Sequence, residues 1–421
     1  MSFQQGLSGL NATGKNLEVI GNNVANTNTI GAKTSRAEFS DMYATAMGGG
    51  GGSAIGIGVS VTAVTQQFTQ GSTTTSGNPM DLAINGAGFF QVSDGRNPTM
   101  YTRNGQFKVD RDGFVVNTQG GRLMGYPADG SGNVLQGQSS ALQMPTAGIT
   151  PVATGRIRLE MNLDARSATT LPAASPLIDT SDPTTYNNAT SVTVFDAKGQ
   201  DVALTYYFQK AATDSWNVYV FANGTPLAVD GSGNPVASTT ITFPSNGGTP
   251  TAPVGAVTLN VPASVNAAGA ATLAIPGVAL TLSGATQYGS PFGVTDLTQD
   301  GYAAGQLVGV QFEKNGVVTA RYSNGQSKPA GQVEIATFRN AQGLQPMGGN
   351  AWARSFSTGD PILGVPGEGS MGALQSGALE ESNVDLTGEL VAMMIAQRVY
   401  QANAQTIKTQ DQVMQTLVNL R

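Results

Sequence analysis

Near the end of the chain, apolar residues recur at alternating spacings of three and four. Leu390, Met393, Tyr400, Ala404, Ile407, Met414 and Val418 follow this pattern, which predicts an α-helix with one apolar seam. Between Leu390 and Tyr400 the polar side chains are Gln397 and Arg398, so Val391, Met394, Ile395 and Val399 place apolar groups on the other faces too. A helix that is apolar nearly all round has to be buried nearly all round. Residues 1–26 carry a second seam of the same spacing, formed by Phe3, Leu7, Leu10, Leu17 and Val24, with Gly14 and Gly21 also on it. Glycine in a helix interior costs up to about 1 kcal/mol against alanine, so a segment that also holds Gly6 and Gly9 needs partners to fold. The C-terminal helix is the first of these, approached through the capping candidates Asn383 and Asp385.

Between the two ends the period changes. Residues 71–145 alternate short β-like runs with turns, as in "MDLAINGAGFFQV", and Asn104-Gly105 and Asp112-Gly113 read as two-residue hairpin turns. The texture returns over 292–372, in "GQLVGVQFEKNGVVTARY" and "GQVEIATFRN", which predicts one inner β domain built from non-adjacent segments. Residues 146–291 form an outer β domain inserted into it, with strand-like "NATSVTVFD", "VALTYYFQK" and "SWNVYVFA". "DGSGN" occurs at 129–133 and at 230–234, and both copies read as turns. Residues 27–70, with five glycines at 48–52, and 373–382 read as extended connectors. The expected fold is therefore mainly β with terminal α-helices. It is a nested multidomain architecture, with a coiled-coil core from 1–26 and 383–421 and two β domains, the outer inserted in the inner.

Composition narrows the function. Charged residues make up 11% of the 421 positions, against roughly 25% in an average globular protein. A net charge of -6 with 21 lysines and arginines offers no basic patch for nucleic acid. Cysteine and histidine are absent, which removes thiolate nucleophiles, disulfides, histidine-dependent triads and the common zinc sets. No charge occurs from Gly231 to Thr295, a neutral β-prone run that would aggregate unless folded into a sandwich or barrel. "MSFQQGLSGLN" has neither a cationic start nor an apolar core, and no apolar run approaches the ~20 residues of a membrane span. Neither a cleaved signal peptide nor membrane insertion is expected.

Candidate chemistry is sparse. Gly48 to Gly52 lacks the lysine and hydroxyl residue of a phosphate loop, and "DRDG" at 110–113 lacks most ligands of a calcium loop. Glu380 and Glu381 are adjacent carboxylates, whereas a glycosidase places its pair across a cleft of roughly 5–9.5 Å. They read as a solvated approach to the last helix. Arg103, Lys108, Arg111 and Arg122 read as a hairpin surface able to meet acidic groups on a neighbour. No catalytic, cofactor or metal residues are assigned, and no enzyme is expected. A secreted β-rich carbohydrate-binding protein or enzyme using acids of the middle domain is the alternative from another class.

For the terminal helices three readings stand: a private intramolecular pair, a membrane-surface element and self-assembly. Their polar faces carry Asn, Gln, Ser and Thr rather than the Lys and Arg of membrane-surface helices. One glycine-rich helix cannot enclose a helix apolar on all sides, and neighbouring copies can. Self-assembly through Phe3, Leu7, Leu10, Leu17, Val24, Leu390, Met393, Tyr400, Ile407 and Met414 is the favoured reading.

Four stretches carry a resemblance: "GLSGLNATGKNLEVIGNNVANTNTIGAKTSRAEF" at 6–39, "GNPMDLAINGAGFFQV" at 77–92, "YTRNGQFKVDRDGFVVNTQGGRLMGYP" at 101–127 and "SGALEESNVDLTGELVAMMIAQRVYQANAQTIKTQD" at 376–411. The chain is similar in them to the bacterial flagellar axial proteins, the rod and hook family. Its length, the inserted middle and "TQDGYAAGQLVGVQFEKNG" at 298–316 resemble the hook type more than the shorter rod proteins, the distal rod protein being the nearer alternative. The resemblance implies a homo-oligomeric helical tube, the hook, acting as a flexible universal joint that carries motor torque from rod to filament. In that family the terminal helices form the inner tube, the interrupted domain the middle layer and the insertion the outside. Implied partners are the distal rod protein, the hook cap and the hook-filament junction proteins. Export would run unfolded through the flagellar type III apparatus to an extracellular position on the basal body. Gln401, Gln405, Gln412 and Asn419 are candidates to face the channel of the tube. Ala32 departs from the family, which often has an aromatic residue there.

Overall fold

The computed structural model describes residues 2–42 and 56–419, so the glycine run at 48–52 lies outside the described residues. The chain forms two compact units. The first comprises Met1–Thr146, Gly309–Arg321 and Ser327–Arg421, and the second Ala147–Val308 with Tyr322–Gln326.

In the first unit, helix α1 (Ser2–Ala25) pairs with helix α2 (Leu386–Asn419). An antiparallel hairpin, Ser35–Met42 with Gly58–Gln66, follows α1 and packs on it. In the β body, Phe89–Ser93 lies between Met100–Thr102 and Arg122–Pro127, and beyond these lie Ala351–Ala353 and Ser327–Val333. Late strands thus flank early ones in one sheet around a core that includes Leu82, Phe90, Val92, Leu123, Val333 and Ile335. Beside it Phe68, Phe89, Tyr101, Phe338 and Trp352 meet edge to face, with centroids 4.7 to 6.0 Å apart, a geometry favoured by the ring quadrupoles. Two short ladders, Leu82–Asn85 with Ala373–Ser376 and Thr73–Thr75 with Ala378–Glu380, lead the chain back towards α2.

The second unit holds two five-stranded sheets. Along Arg156–Asp164 the residues Ile157, Leu159, Met161 and Leu163 are buried in alternation with more exposed neighbours, as a strand with one face on a core requires. They share a single cluster with Val202, Leu204, Tyr206, Phe208, Trp216 and Val218 of the other sheet, so this unit is a β-sandwich.

Several sequence expectations change here. Residues 293–299, expected with the inner domain, pair antiparallel with Arg156–Asp164, and Leu297 packs against the sandwich core. Asn104-Gly105 makes no hairpin, because Met100–Thr102 pairs with Phe89–Ser93 and Ala351–Ala353 instead. The pair forms a corner where the Gly105 carbonyl accepts from the Leu82 N–H at 3.0 Å, and a Cβ on Gly105 would collide with Leu82.

Asp112-Gly113 does close a hairpin, but through a five-residue loop. The backbones of Asp110 and Phe114 bond, Gly113 takes φ 87°, and Asp110 Oδ1 accepts from the N–H groups of Asp112 and Phe114. The same loop closes 129–133, 196–200 and 230–234, each with the leading aspartate bonded to two N–H groups and a glycine at positive φ. Only glycine adopts that φ without strain, and the carboxylate replaces water on N–H groups that the turn leaves free.

Glu334 sits fully buried between Val333 and Ile335, with Oε2 lacking a hydrogen-bond partner. Burial pushes its carboxyl above the usual range, against the bonds from Ser139 and Tyr126. The folded state therefore holds this proton to higher pH than the unfolded chain, and stability falls as pH rises from the unfolded pKa through the folded one. Glu334→Gln is expected to remove this fall and to stabilise the protein at neutral pH, as urea unfolding at pH 4 to 8 would show. Equal slopes for the two proteins would count against it.

Candidate functional site

The helix pair is set by small residues. A Cβ on Gly6 would lie 3.1 Å from Ile407 Cγ1, and one on Gly9 would lie 2.9 Å from Asn403 Nδ2. These glycines let the two backbones approach closely, which offsets their low helix propensity. Gly14 and Gly21 have open space where a Cβ would go. Among the described residues, Ala12, Thr13, Ile20 and Asn23 are the buried side chains of α1, and Ala396 is that of α2. Asn23 fastens three elements: Nδ2 donates to the Ser35 carbonyl at 2.8 Å and to Glu389 Oε1 at 3.0 Å, and Oδ1 accepts from the Ser35 N–H at 2.9 Å. Gly6 faces Ile407 and Asn23 meets Glu389, so the helices run antiparallel.

The large apolar residues of the two seams are divided by this packing. Leu10, Leu17, Val24, Met393 and Ile407 are half-buried. Phe3, Leu7, Leu390, Tyr400 and Met414 are exposed, as are Val391, Met394, Ile395 and Val399, at 39% to 61%. Gln401, Gln405 and Gln412 are exposed as well, and the Asn419 side chain lies outside the described residues. A single copy thus leaves most of the large apolar side chains described on α2 exposed, far more than the scattered exposed residues of a folded monomer.

The start of α2 is capped by Asp385, whose Oδ1 accepts from the Thr387 N–H at 3.0 Å. Glu389 in the first turn suits the positive end of the helix dipole. Asn383, the other cap candidate, instead ties the connectors together. Its Oδ1 accepts from the N–H and hydroxyl of Thr34, and its Nδ2 donates to the Gln67 carbonyl. Ala32 is buried in the same region.

Glu380 and Arg103 correct their sequence assignments. Glu380 is fully buried rather than solvated, and Arg103 is buried rather than on a hairpin surface. Glu380 Oε1 binds Lys33 Nζ at 2.6 Å and Oε2 binds Arg103 NH1 at 2.9 Å. Oε1 also accepts from the Gly71 N–H at 2.9 Å, Lys33 donates to the Thr69 carbonyl, and Arg103 donates to that of Gly86. Burial draws the Lys33 ammonium below its usual pKa, while Glu380 opposes that shift. One carboxylate thus joins the segment after α1, the hairpin exit, the β body and the strand before α2. Local pattern carries no signal for it, because the partners lie 347 and 277 residues apart.

Among the described residues no group of acids, histidines or cysteines could hold a metal, and no helix is long and apolar enough to cross a membrane. Acids of the second unit are engaged structurally. Asp164 pairs with Arg166, whose hydrogen bonds hold its carboxyl down to about 2, Glu160 pairs with Arg158, and Asp196 and Asp230 close loops.

Four family models match the chain: Flagella basal body rod protein over 3–33, Flagellar hook protein FlgE/F/G D1 domain over 83–170, Flagellar basal body protein FlaE D2 domain over 162–302, and Flagellar basal body rod FlgEFG protein C-terminal over 375–420. The flagellar hook proteins FlgE of Salmonella typhimurium and Escherichia coli K12 are each 40% identical, covering 100% of this chain and of their own. That of Treponema pallidum is 32% identical over 100% of this chain and 99% of its own. The crystal structure of Helicobacter pylori flagellar hook protein FlgE2 shares the fold, with a TM-score of 0.52 at 15% identity over 72% of this chain and 99% of that one. By this full-length identity the chain belongs to the flagellar hook protein family, the structural subunits of the flagellar hook.

Proposed function

We propose that copies of this chain build the hook as a flexible helical tube, held together at its centre by the α1 and α2 helices and carrying torque from rod to filament. The supporting observation is the apolar surface of α2, exposed on several faces of a single copy. In this reading the exposed Gln401, Gln405 and Gln412 line the channel, where uncharged polar groups hold a passing unfolded chain weakly. The connectors 27–70 and 373–382 join the β domains to the tube, and the insertion lies outside. Its uncharged run from 231 to 295 makes outer contacts that slide rather than lock. The role is structural, with no reaction catalysed. The distal rod protein, the cap at the growing tip and the hook-filament junction proteins are its neighbours, and the type III apparatus delivers it unfolded to the cell exterior.

Hydrogen exchange on dilute monomer and on assembled tubes tests this. Residues 386–418 should exchange readily in the monomer and become strongly protected in tubes, with little change in the sandwich core. Tubes that form with no gain of protection in either helix would show that the β units drive assembly instead.

A further inference from the structure

The antiparallel contact runs from Asn23 and Glu389 to Gly6 and Ile407. That register brings Phe3 level with the region of residue 410, so the last turns of α2 extend past the described start of α1. Val413, Met414 and Val418 on these turns are 47%, 61% and 71% exposed. Further along the pair, α1, α2 and the hairpin enclose an apolar groove of about 490 Å³. The buried Ala12 and Ala396 line its depth, and the more exposed Phe39, Val59, Ile395 and Val399 its sides.

We propose that this groove receives the end of α2, residues 412–419, from a second copy of the chain. The inference rests on the self-assembly reading and specifies its contact. Residues 412–419 carry no charge and no charged residue lines the groove, so docking desolvates no ion. The lengths agree: eight helical residues span about 12 Å and the groove follows α2 from 392 to 403, about 17 Å. A chain cannot fill its own groove, because positions 399 and 414 lie about 22 Å apart on one helix. Each copy therefore offers its end to one neighbour and its groove to another, a heterologous contact that propagates without closing on itself.

With no native cysteine, disulfide trapping is unambiguous. Val399→Cys and Met414→Cys are made separately, doped together as minority components into wild-type tubes and oxidised. A disulfide needs the two Cα atoms within about 7 Å, so the expected result is a 399–414 cross-link between copies, many-fold above that of a Val399→Cys and Phe3→Cys control pair. Tubes in which 399 stays unlinked, or links to 3, overturn the docking and leave self-assembly standing. A wild-type chain that forms no tubes overturns the self-assembly reading itself, and the docking with it.

Discussion

Met394→Asp should leave the monomer folded and abolish tube formation. The side chain is 52% exposed in a single copy, so an aspartate there is solvated and the Tm of the monomer should stay within a few degrees of wild type. In the proposed tube a neighbour covers the same position, and an unpaired carboxylate would be driven into apolar surroundings. A penalty of about 3 kcal/mol per contact raises the critical concentration more than about 100-fold. Sedimentation of the assembled fraction against total protein measures it. Gln397→Asp, on the polar side of the same turn, is the control. Equal loss from both variants would point to general charge repulsion, and normal assembly of Met394→Asp would remove that face of α2 from the interface.

Glu380→Ala should be among the most destabilising single changes in the first unit. It leaves the buried Lys33 and Arg103 without a counter-charge and the Gly71 N–H without its acceptor. Removing one partner of a buried ion pair typically costs about 3–5 kcal/mol, because the remaining charge is uncompensated. Urea unfolding monitored by tryptophan fluorescence, from Trp352 in the first unit and Trp216 in the second, should show the loss in the first unit's transition. Lys33→Met in the same background should recover part of it by removing one of the stranded cations. A contrast is the Lys15 and Glu18 pair on α1, with side chains 63% and 68% exposed. Lys15→Ala should change stability by less than about 1 kcal/mol. Equal effects at the two sites would mean that Glu380 is not the junction described.

The mainly β body and the two terminal helices were legible in the sequence because their signals are local. Periods of two and of three to four residues report whether a segment has one buried face, wherever that face points. What the face points at is not local. Large residues mark the seams, while the closest approaches of the pair are made by Gly6 on Ile407 and Gly9 on Asn403, and Phe3, Leu7 and Leu390 stay exposed. Close approach of two helices selects small side chains, which carry little hydrophobic signal. Asn23, which hydropathy places on a polar face, is nearly the most buried residue of α1 because its amide finds partners on two other elements. Glu380 reads as solvated for the same reason, since its cations come from distant segments. Asn104-Gly105 shows the limit of turn signals: the dipeptide permits a hairpin, but the flanking strands had better partners elsewhere in the sheet.

The interleaving of early and late segments fixes an order of completion. The second unit is drawn almost wholly from one continuous stretch, Ala147–Val308, and its aspartate-led loops close between residues four apart, where hairpins form in roughly 1–10 μs. Under the proposed export, N-terminus first, it can condense while the rest of the chain is still being delivered. The first unit cannot. Thr73–Thr75 waits for Ala378–Glu380, Leu82–Asn85 waits for Ala373–Ser376, and Asn23 waits for Glu389, 366 residues later. The helix pair is thus the last structure the chain can make. On the proposed export and docking, a partly delivered copy would hold no finished site for a neighbour, and joining would be timed by the arrival of the final turns.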